Sequence, residues 1–345
     1  MPDGLASVGL DGEETLDRDS PESAVELKRL QVELAQHGER LDKWLTLAVG
    51  GLSRAYFQQL LEGGAVRVSG REVRKAATRV RAGENVEVEL RPTEQAQAFL
   101  PEAMPLDVVH EDEHLLVIHK PAGLVVHPAA GHWQGTLLNG LLAYHPGASA
   151  LPRAGIVHRL DKDTSGLMLV GKTVRAVDAL VRMIAARDVH RLYLALAHGP
   201  WRGESEVWVD QPIGRDPRNR LRMAVHAEGS AAAKPAQTRI RRLDGEGATV
   251  LVACKLHTGR THQIRVHMAW LGCPLLADGV YGGRPVLGMT RQALHAHRLA
   301  LQHPVTGEAL SFVSPLPTDM ADALENAGLH YNDQQLSGLG PGLPD

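Results

Sequence analysis

The chain has 345 residues, of which 43% are hydrophobic, 4% aromatic and 22% charged, with a formal net charge of −3. That length allows two domains with ample core, and no stretch reaches the about 18 consecutive apolar residues of a membrane span. Only Cys254 and Cys273 occur, without a C-x-x-C pair, which excludes a disulfide scaffold or a cysteine zinc site and suits the cytosol. The small net charge conceals a segregation. Residues 1–37 carry a net −6 and residues 316–345 a net −5, so the body between them carries +8. A basic body between acidic tails is compatible with a polyanionic partner.

The N-terminal stretch MPDGLASVGLDGEETLDRDSPES is acidic and has no apolar core, so it reads as a disordered tail over 1–28, not a secretory signal. Residues 29–92 read as a small α+β unit. RLDKWLTLAV (40–49) and SRAYFQQLLEGG (53–64) predict two short helices, the second capped by Ser53 and ended by Gly63-Gly64. AVRVSGREVR predicts two strands about a Ser69-Gly70 turn, and GENVEVEL (83–90) a third by alternation. Between 38 and 83 the net charge is +5, with Lys43, Arg54, Arg67 and Arg71 among its cations. Polar, Pro-flanked residues 93–104 predict a linker, and 105–328 a larger unit. There GIVHRL (155–160) and GLMLVG (166–171) predict strands flanking a DKDTS turn. TVRAVDALVRMIAARD (173–188) predicts a helix with Val174, Val177, Leu180, Val181 and Ile184 on one face. LYLALAHG and ATVLVACKL predict strands, 211–238 an extended basic loop, and THQIRVHMAWLG (261–272) a helix closed by Gly272 and Pro274. Residues 329–345 read as a second disordered tail. Strands and helices mix without a βαβ rhythm, so the fold class is α+β.

The run HRLDKDTSGLMLVGKT contains Gly166, Gly171, Lys172 and Thr173 in the G-x-x-x-x-G-K-T spacing of a phosphate-binding loop. The intervening Leu167, Met168, Leu169 and Val170 are those of a buried strand, whose N–H groups would already be paired and unable to turn onto phosphates. No nucleotide cofactor is therefore expected. The 18 histidines include His257, His262 and His267, but a spacing of five does not bring side chains together on a helix or a strand, so no metal site is expected. Asp161, Asp163, Thr164 and Ser165, read alone, are turn formers that hydrogen-bond their own backbone.

Taken with the rest of the chain, these segments resemble a known family. GIVHRLDKDTSGLMLVGKT is similar to the H-R-L-D signature of the RluA group of pseudouridine synthases, RLYLALAHG to its second motif, and KLHTGRTHQIRVHM to its third. The 29–92 unit resembles the S4-like RNA-binding domain that precedes the catalytic domain in many members. RAGIVHRLDKDTSGLM, VVHEDEHLLVIHKPAGLVVHP and RQALHA are most similar to the RluD branch, which acts on the helix 69 stem-loop of large-subunit rRNA. The resemblance implies a pseudouridine synthase fold, with a mixed, largely antiparallel central sheet and flanking helices. It implies a cytoplasmic, monomeric enzyme of rRNA or of a ribosomal subunit precursor, with no cofactor and no membrane partner.

The resemblance also implies roles. Asp161 would be the carboxylate that acts at the sugar or the ring, as nucleophile or as base. Arg265 would pair with it and keep it ionised. Tyr193 would pack on the target uracil, its phenol available for late proton transfer. Arg159 would fill the gap left by the flipped nucleotide, and strand alternation would set it on the same side as Asp161. His158, Lys162, Arg260 and His262 would contact phosphate or base, and Lys43, Arg54, Arg67 and Arg71 would hold RNA on the N-terminal unit.

Overall fold

The computed structural model describes residues 26–50, 54–91, 98–129, 132–219 and 222–339, and its contacts divide the chain into two compact units, 1–97 and 98–345. In the first unit β1 (Glu26–Gln31) precedes α1 (Leu41–Val49) and α2 (Arg54–Glu62), followed by β2 (Val66–Val68), β3 (Arg71–Glu72) and β4 (Asn85–Leu90). The sheet order is β1-β4-β2-β3, antiparallel throughout. The apolar positions of both helices meet alternate residues of β2 and β4, closing a core of Trp44, Leu45, Phe57, Leu61, Val66, Val86 and Val88. Each such side chain contributes about 1.5–3 kcal/mol on burial. β1 begins inside the stretch expected as an acidic tail, because its backbone pairs with the edge of β4, a tertiary event that composition does not register. Ser53 lies outside the described residues.

The second unit carries β5 (Asp107–Glu111), β6 (Leu115–Lys120), α3 (Leu137–Tyr144), β7 (Ser165–Gly171), α4 (Val174–Ala186), β8 (His190–His198) and β9 (Glu206–Asp210). Three short strands follow, β10 (Ile213–Arg215), β11 (Met223–Val225) and β12 (Ala233–Lys234), then β13 (Gln237–Asp244), β14 (Thr249–Leu256), α5 (Gln263–Trp270), β15 (Leu294–Gln302), β16 (Ala309–Val313) and α6 (Thr318–Asn326). The main sheet runs β5-β6-β7-β15-β8-β14-β13-β9, with β16 also on β15; only the β7–β15 pair is parallel. This is the mixed, largely antiparallel sheet expected. On β8, Leu192, Leu194 and Leu196 enter one core, while Tyr193, Ala195 and Ala197 enter the core on the opposite face.

The supposed phosphate loop is β7 itself, paired with β6 from Leu115↔Gly171 to Lys120↔Gly166 and buried along its length. Gly166 is there for close packing: at φ 111° a Cβ would lie 2.3 Å from the Ala296 carbonyl oxygen on β15. Lys172 donates to Glu111 Oε1 at 2.7 Å and to the Asp112 carbonyl at 2.6 Å, and Thr173 caps α4 through the Ala176 N–H.

Several local expectations are corrected. Residues 155–160 are not a strand; Gly155 ends a short 3-10 helix, only Ile156 bridges to Val170, and 157–160 run as loop into the turn. The buried face of α4 is Ala176, Val177 and Leu180, whereas Val174 and Val181 are exposed, since the sheet covers less than the full apolar arc. The 211–238 segment is not an open loop, because β10, β11 and β12 pair with one another. The expected linker ends early: Asn139 on α3 donates to the carbonyls of Ala98 and Leu100, fixing that stretch to the second unit. Residues 329–339, expected within a C-terminal tail, pack on the second unit: Leu336 and Leu339 are buried against Leu243 and Leu251, and Arg241 donates to the Gln335 and Ser337 carbonyls.

Candidate active site

The loop 158–164 leaves the Ile156 bridge, turns, and enters β7. Three groups clamp it. Lys120, at the end of β6 and 1% exposed, donates its three ammonium hydrogens to the carbonyls of Pro121 (2.8 Å), Leu124 (2.9 Å) and Lys162 (2.8 Å). Burial pushes this amine down to about 7, against the pull of Asp163 and Asp161. Arg291 donates to the Asp163 carbonyl at 2.8 Å while its other nitrogens grip Asp319 at 2.6 and 2.8 Å. The Thr164 N–H closes the turn on the Asp161 carbonyl at 3.1 Å. The turn-forming roles read from the sequence are therefore real, but they serve to present the Asp161 side chain.

That side chain meets α5. Arg265 Nη1 donates to Asp161 Oδ2 at 3.0 Å, and the same guanidinium is held from behind by Asp278, Nε to Oδ2 at 2.7 Å and Nη2 to Oδ1 at 2.8 Å. The Arg265 side chain is 7% exposed, that of Asp278 1% and that of Asp161 17%. Burial works against the charge on Arg265, but the hydrogen bonds and charge of Asp278, with those of Asp161, outweigh it, so its pKa rises above the usual arginine value. Asp278 sits in a tight loop after β14 and α5. Its carbonyl takes the N–H groups of Tyr281 and Gly283, and a Cβ on Gly283 would lie 1.8 Å from the Leu275 carbonyl. Tyr281 lies over the guanidinium, 5.0 Å from ring centroid to Cζ, and its hydroxyl meets His262 Nδ1 at 2.8 Å. His262 holds the left-handed conformation (φ 56°) at the N-terminus of α5 and brings Nε2 within 3.9 Å of Asp161 Oδ1. Burial lowers its pKa against the opposing pull of Asp161, which favours a neutral imidazole. Among the described residues Asp161 Oδ1 accepts no hydrogen bond, so one carboxylate oxygen is tied and the other is available.

Tyr193 faces the same space. It lines, with Asp161, Arg159 and Arg260, a cavity of about 490 Å³, and joins Asp161, His262 and Arg265 around a smaller one of about 50 Å³. Burial pushes the phenol above its usual value, so it stays protonated at neutral pH. A larger cavity of about 760 Å³ between α4 and β15 contains none of these groups.

The structure thus brings Asp161, Tyr193, Arg265, His262, Arg159 and Arg260 together, although Arg159 reaches the cavity from a loop and not by strand alternation. Lys162 is exposed beside them. His158 is half-buried on the wall of the same cavity; its Nε2 accepts the Leu169 N–H at 2.9 Å, and burial pushes its pKa down to about 3, so it anchors the loop to β7 as a neutral ring. Arg54 is also committed elsewhere. With Arg40 and Gln58 it surrounds the buried Asp42, and the Arg40 hydrogen bond foremost holds that carboxyl well below the usual range. Arg67 and Arg71 are exposed and make no ion pair among the described residues, while Lys43 lies 3.8 Å from Glu39 and remains largely exposed. Sequence reasoning missed Asp278, Tyr281, Lys120 and Arg291. The available signals were a lone acid inside LLADG and a lone lysine closing the apolar run LLVIHK. Among the described residues no group of three or more His, Cys, Asp or Glu side chains is arranged to hold a metal ion.

Residues 114–270 match the family model described as RNA pseudouridylate synthase, and residues 39–86 match that of the S4 domain. A ribosomal large subunit pseudouridine synthase D of Neisseria meningitidis serogroup B is 47% identical over 304 residues, covering 84% of this chain and 79% of the relative. One of the same name from Nitrosomonas europaea is 45% identical over 335 residues, covering 94% and 91%. Among solved structures, human RNA pseudouridylate synthase domain containing 1 superposes with a TM-score of 0.53 at 29% identity, over 70% of this chain and 97% of the other.

Proposed function

This chain belongs to the RNA pseudouridylate synthase family, and on that premise we propose that it isomerises uridines of large-subunit rRNA, those of the helix 69 stem-loop, to pseudouridine. The observation that carries the reading is the Asp161–Arg265–Asp278 chain, with Asp161 Oδ1 open to the cavity lined by Tyr193. The reaction breaks the N1–C1′ bond, turns the uracil and joins C5 to C1′. Atoms balance within the nucleotide, so no external reactant or cofactor takes part. Arg265 holds Asp161 Oδ2 and fixes the rotamer, leaving Oδ1 to act at the sugar or the ring. Two carboxylates share one guanidinium, so the cluster retains negative charge where an electron-poor sugar carbon would develop.

The target base must leave its stack, at a cost of a few kcal/mol. Arg159, exposed at the cavity mouth, supports this step by stacking in the gap while contacting phosphate. Tyr193, protonated and nearly buried, is suited to pack on the uracil and to donate a hydrogen bond. The N-terminal unit, with Lys43, Arg67 and Arg71, holds RNA through salt-sensitive phosphate contacts. The enzyme acts in the cytoplasm as a monomer; no helix among the described residues is long and apolar enough to cross a membrane. The test is tritium release from 5-tritiated uridine in rRNA. Asp161→Asn should abolish it and leave RNA affinity within about threefold, since a carboxylate is not a phosphate ligand; retained release would overturn the assignment.

A further inference from the structure

Arg191, on β8 two residues before Tyr193, is 8% exposed, yet its guanidinium makes no ion pair and no hydrogen bond among the described residues. Its Nε is fully enclosed without a partner. An arginine buried to this degree without a partner is costly, and one is normally found only where a counter-charge arrives. The guanidinium lies on the wall of the 490 Å³ cavity, which is also lined by Arg159, Arg187 and Arg260. The single carboxylate lining that cavity is Asp161, already tied to Arg265. Opposite Arg191 the wall is Gly259; a Cβ there would lie 3.1 Å from Arg191 Nη1, so glycine leaves room directly beside the guanidinium. Arg260 is oriented by donation from Nε to the Pro235 carbonyl at 3.0 Å. Arg187 ends α4 at the rim.

We propose that Arg191 is the floor of a phosphodiester subsite that takes a backbone phosphate within one nucleotide of the flipped uridine, with Arg187 and Arg260 closing over it. The inference rests on the RNA reading above and deepens it, since it names a ligand group and a pocket distinct from the uracil site. A planar guanidinium with all its donors unclaimed matches two phosphate oxygens in a bidentate contact. The four arginines make the cavity electropositive, and its shared wall with Tyr193 sets the phosphate beside the base that Tyr193 packs on. The phosphate thus fixes where along the strand the flipped nucleotide stops, while Asp161 and Tyr193 read the nucleotide itself.

The experiment uses the full chain and an rRNA stem-loop transcript, in intact form and with single neutral methylphosphonate linkages around the target uridine. Arg191→Gln should weaken binding about tenfold or more at 0.1 M salt, as loss of a charge-assisted contact does, and should make the plot of log affinity against log salt shallower by about 0.7–0.9, one phosphate's share. Arg191→Lys should restore the slope and only part of the affinity. One methylphosphonate position should weaken the wild type and leave Arg191→Gln unaffected. The idea is overturned if Arg191→Gln keeps the wild-type salt slope, whether or not its melting temperature drops, or if every neutral linkage weakens both proteins equally. Failure of the wild type to release tritium from any rRNA would sink the functional reading instead, and the linkage comparison, read by binding alone, would still decide the subsite.

Discussion

Asp278 makes the sharpest prediction because it touches no substrate, yet Arg265 depends on it. Asp278→Ala removes two charge-assisted bonds of 2.7 and 2.8 Å to a guanidinium that is 7% exposed. Breaking one partner out of a buried ion pair costs about 3–5 kcal/mol. For a unit of this size each kcal/mol lowers the melting temperature by about 2–4 °C, so a fall of about 6–20 °C is expected. The activity should fall separately. Freed from Asp278, Arg265 rotates toward Asp161 and shifts the carboxylate, and misplacement on the order of 1 Å costs about 100-fold in rate. Single-turnover tritium release at saturating RNA, measured below the lowered melting point, should fall by that factor while RNA affinity stays within about threefold, because no phosphate contact is lost. Asp278→Glu should recover stability more than rate, since the carboxylate is restored at a different reach. If Asp278→Ala melts like the wild type and turns over at the wild-type rate, the guanidinium is not oriented by Asp278 and the two-carboxylate account of the site is wrong.

The remaining expectations follow from other contacts. Lys120→Met leaves the carbonyls of Pro121 and Leu124 without their donor and that of Lys162 with the Gly123 N–H alone, at about 1–3 kcal/mol for each buried orphan; denaturant unfolding should show a clear loss, and an unchanged midpoint would refute the clamp. His295 is neutral and satisfied, with Nδ1 accepting from Ser165 Oγ at 3.0 Å and Nε2 meeting the Ser314 carbonyl at 3.4 Å, and burial holds its pKa down at about 4. The unfolded chain binds that proton near pH 6.5, so this contribution is complete above about pH 6.5 and is lost as pH falls, by about 3 kcal/mol on reaching pH 4. His295→Gln should flatten the stability profile between those values, and an equally steep profile would refute it. Removing residues 1–97 should lower RNA affinity by about tenfold or more yet spare turnover at saturating RNA, as expected when phosphate contacts position the substrate; unchanged affinity would remove the role given to that unit.

Some of this was legible in the sequence because local chemistry dictates it. The apolar run of LMLV could only be a buried strand, which disposed of the phosphate-loop pattern. Alternation in LYLALA set Tyr193 against its leucine neighbours. Motif order pointed to Asp161 and Arg265. What sequence spacing could not convey was anything requiring distant segments to meet. Asp278 lies 13 residues from Arg265 and 117 from Asp161, on a loop whose sequence reads only as a tight turn. His158 and Arg54 were singled out by residue type and motif, and only the fold shows that each is also bonded to a buried group, the Leu169 N–H and the Asp42 carboxylate. Alternation, charge and turn chemistry are properties of a residue and its neighbours, so the sequence alone determined strands such as β7, β8 and β14, the basic body and the nucleophile candidate. Which cations are paired and which stand open to a phosphate depends on what desolvates them, and only the tertiary structure decided that for Arg265, Arg54 and Arg191.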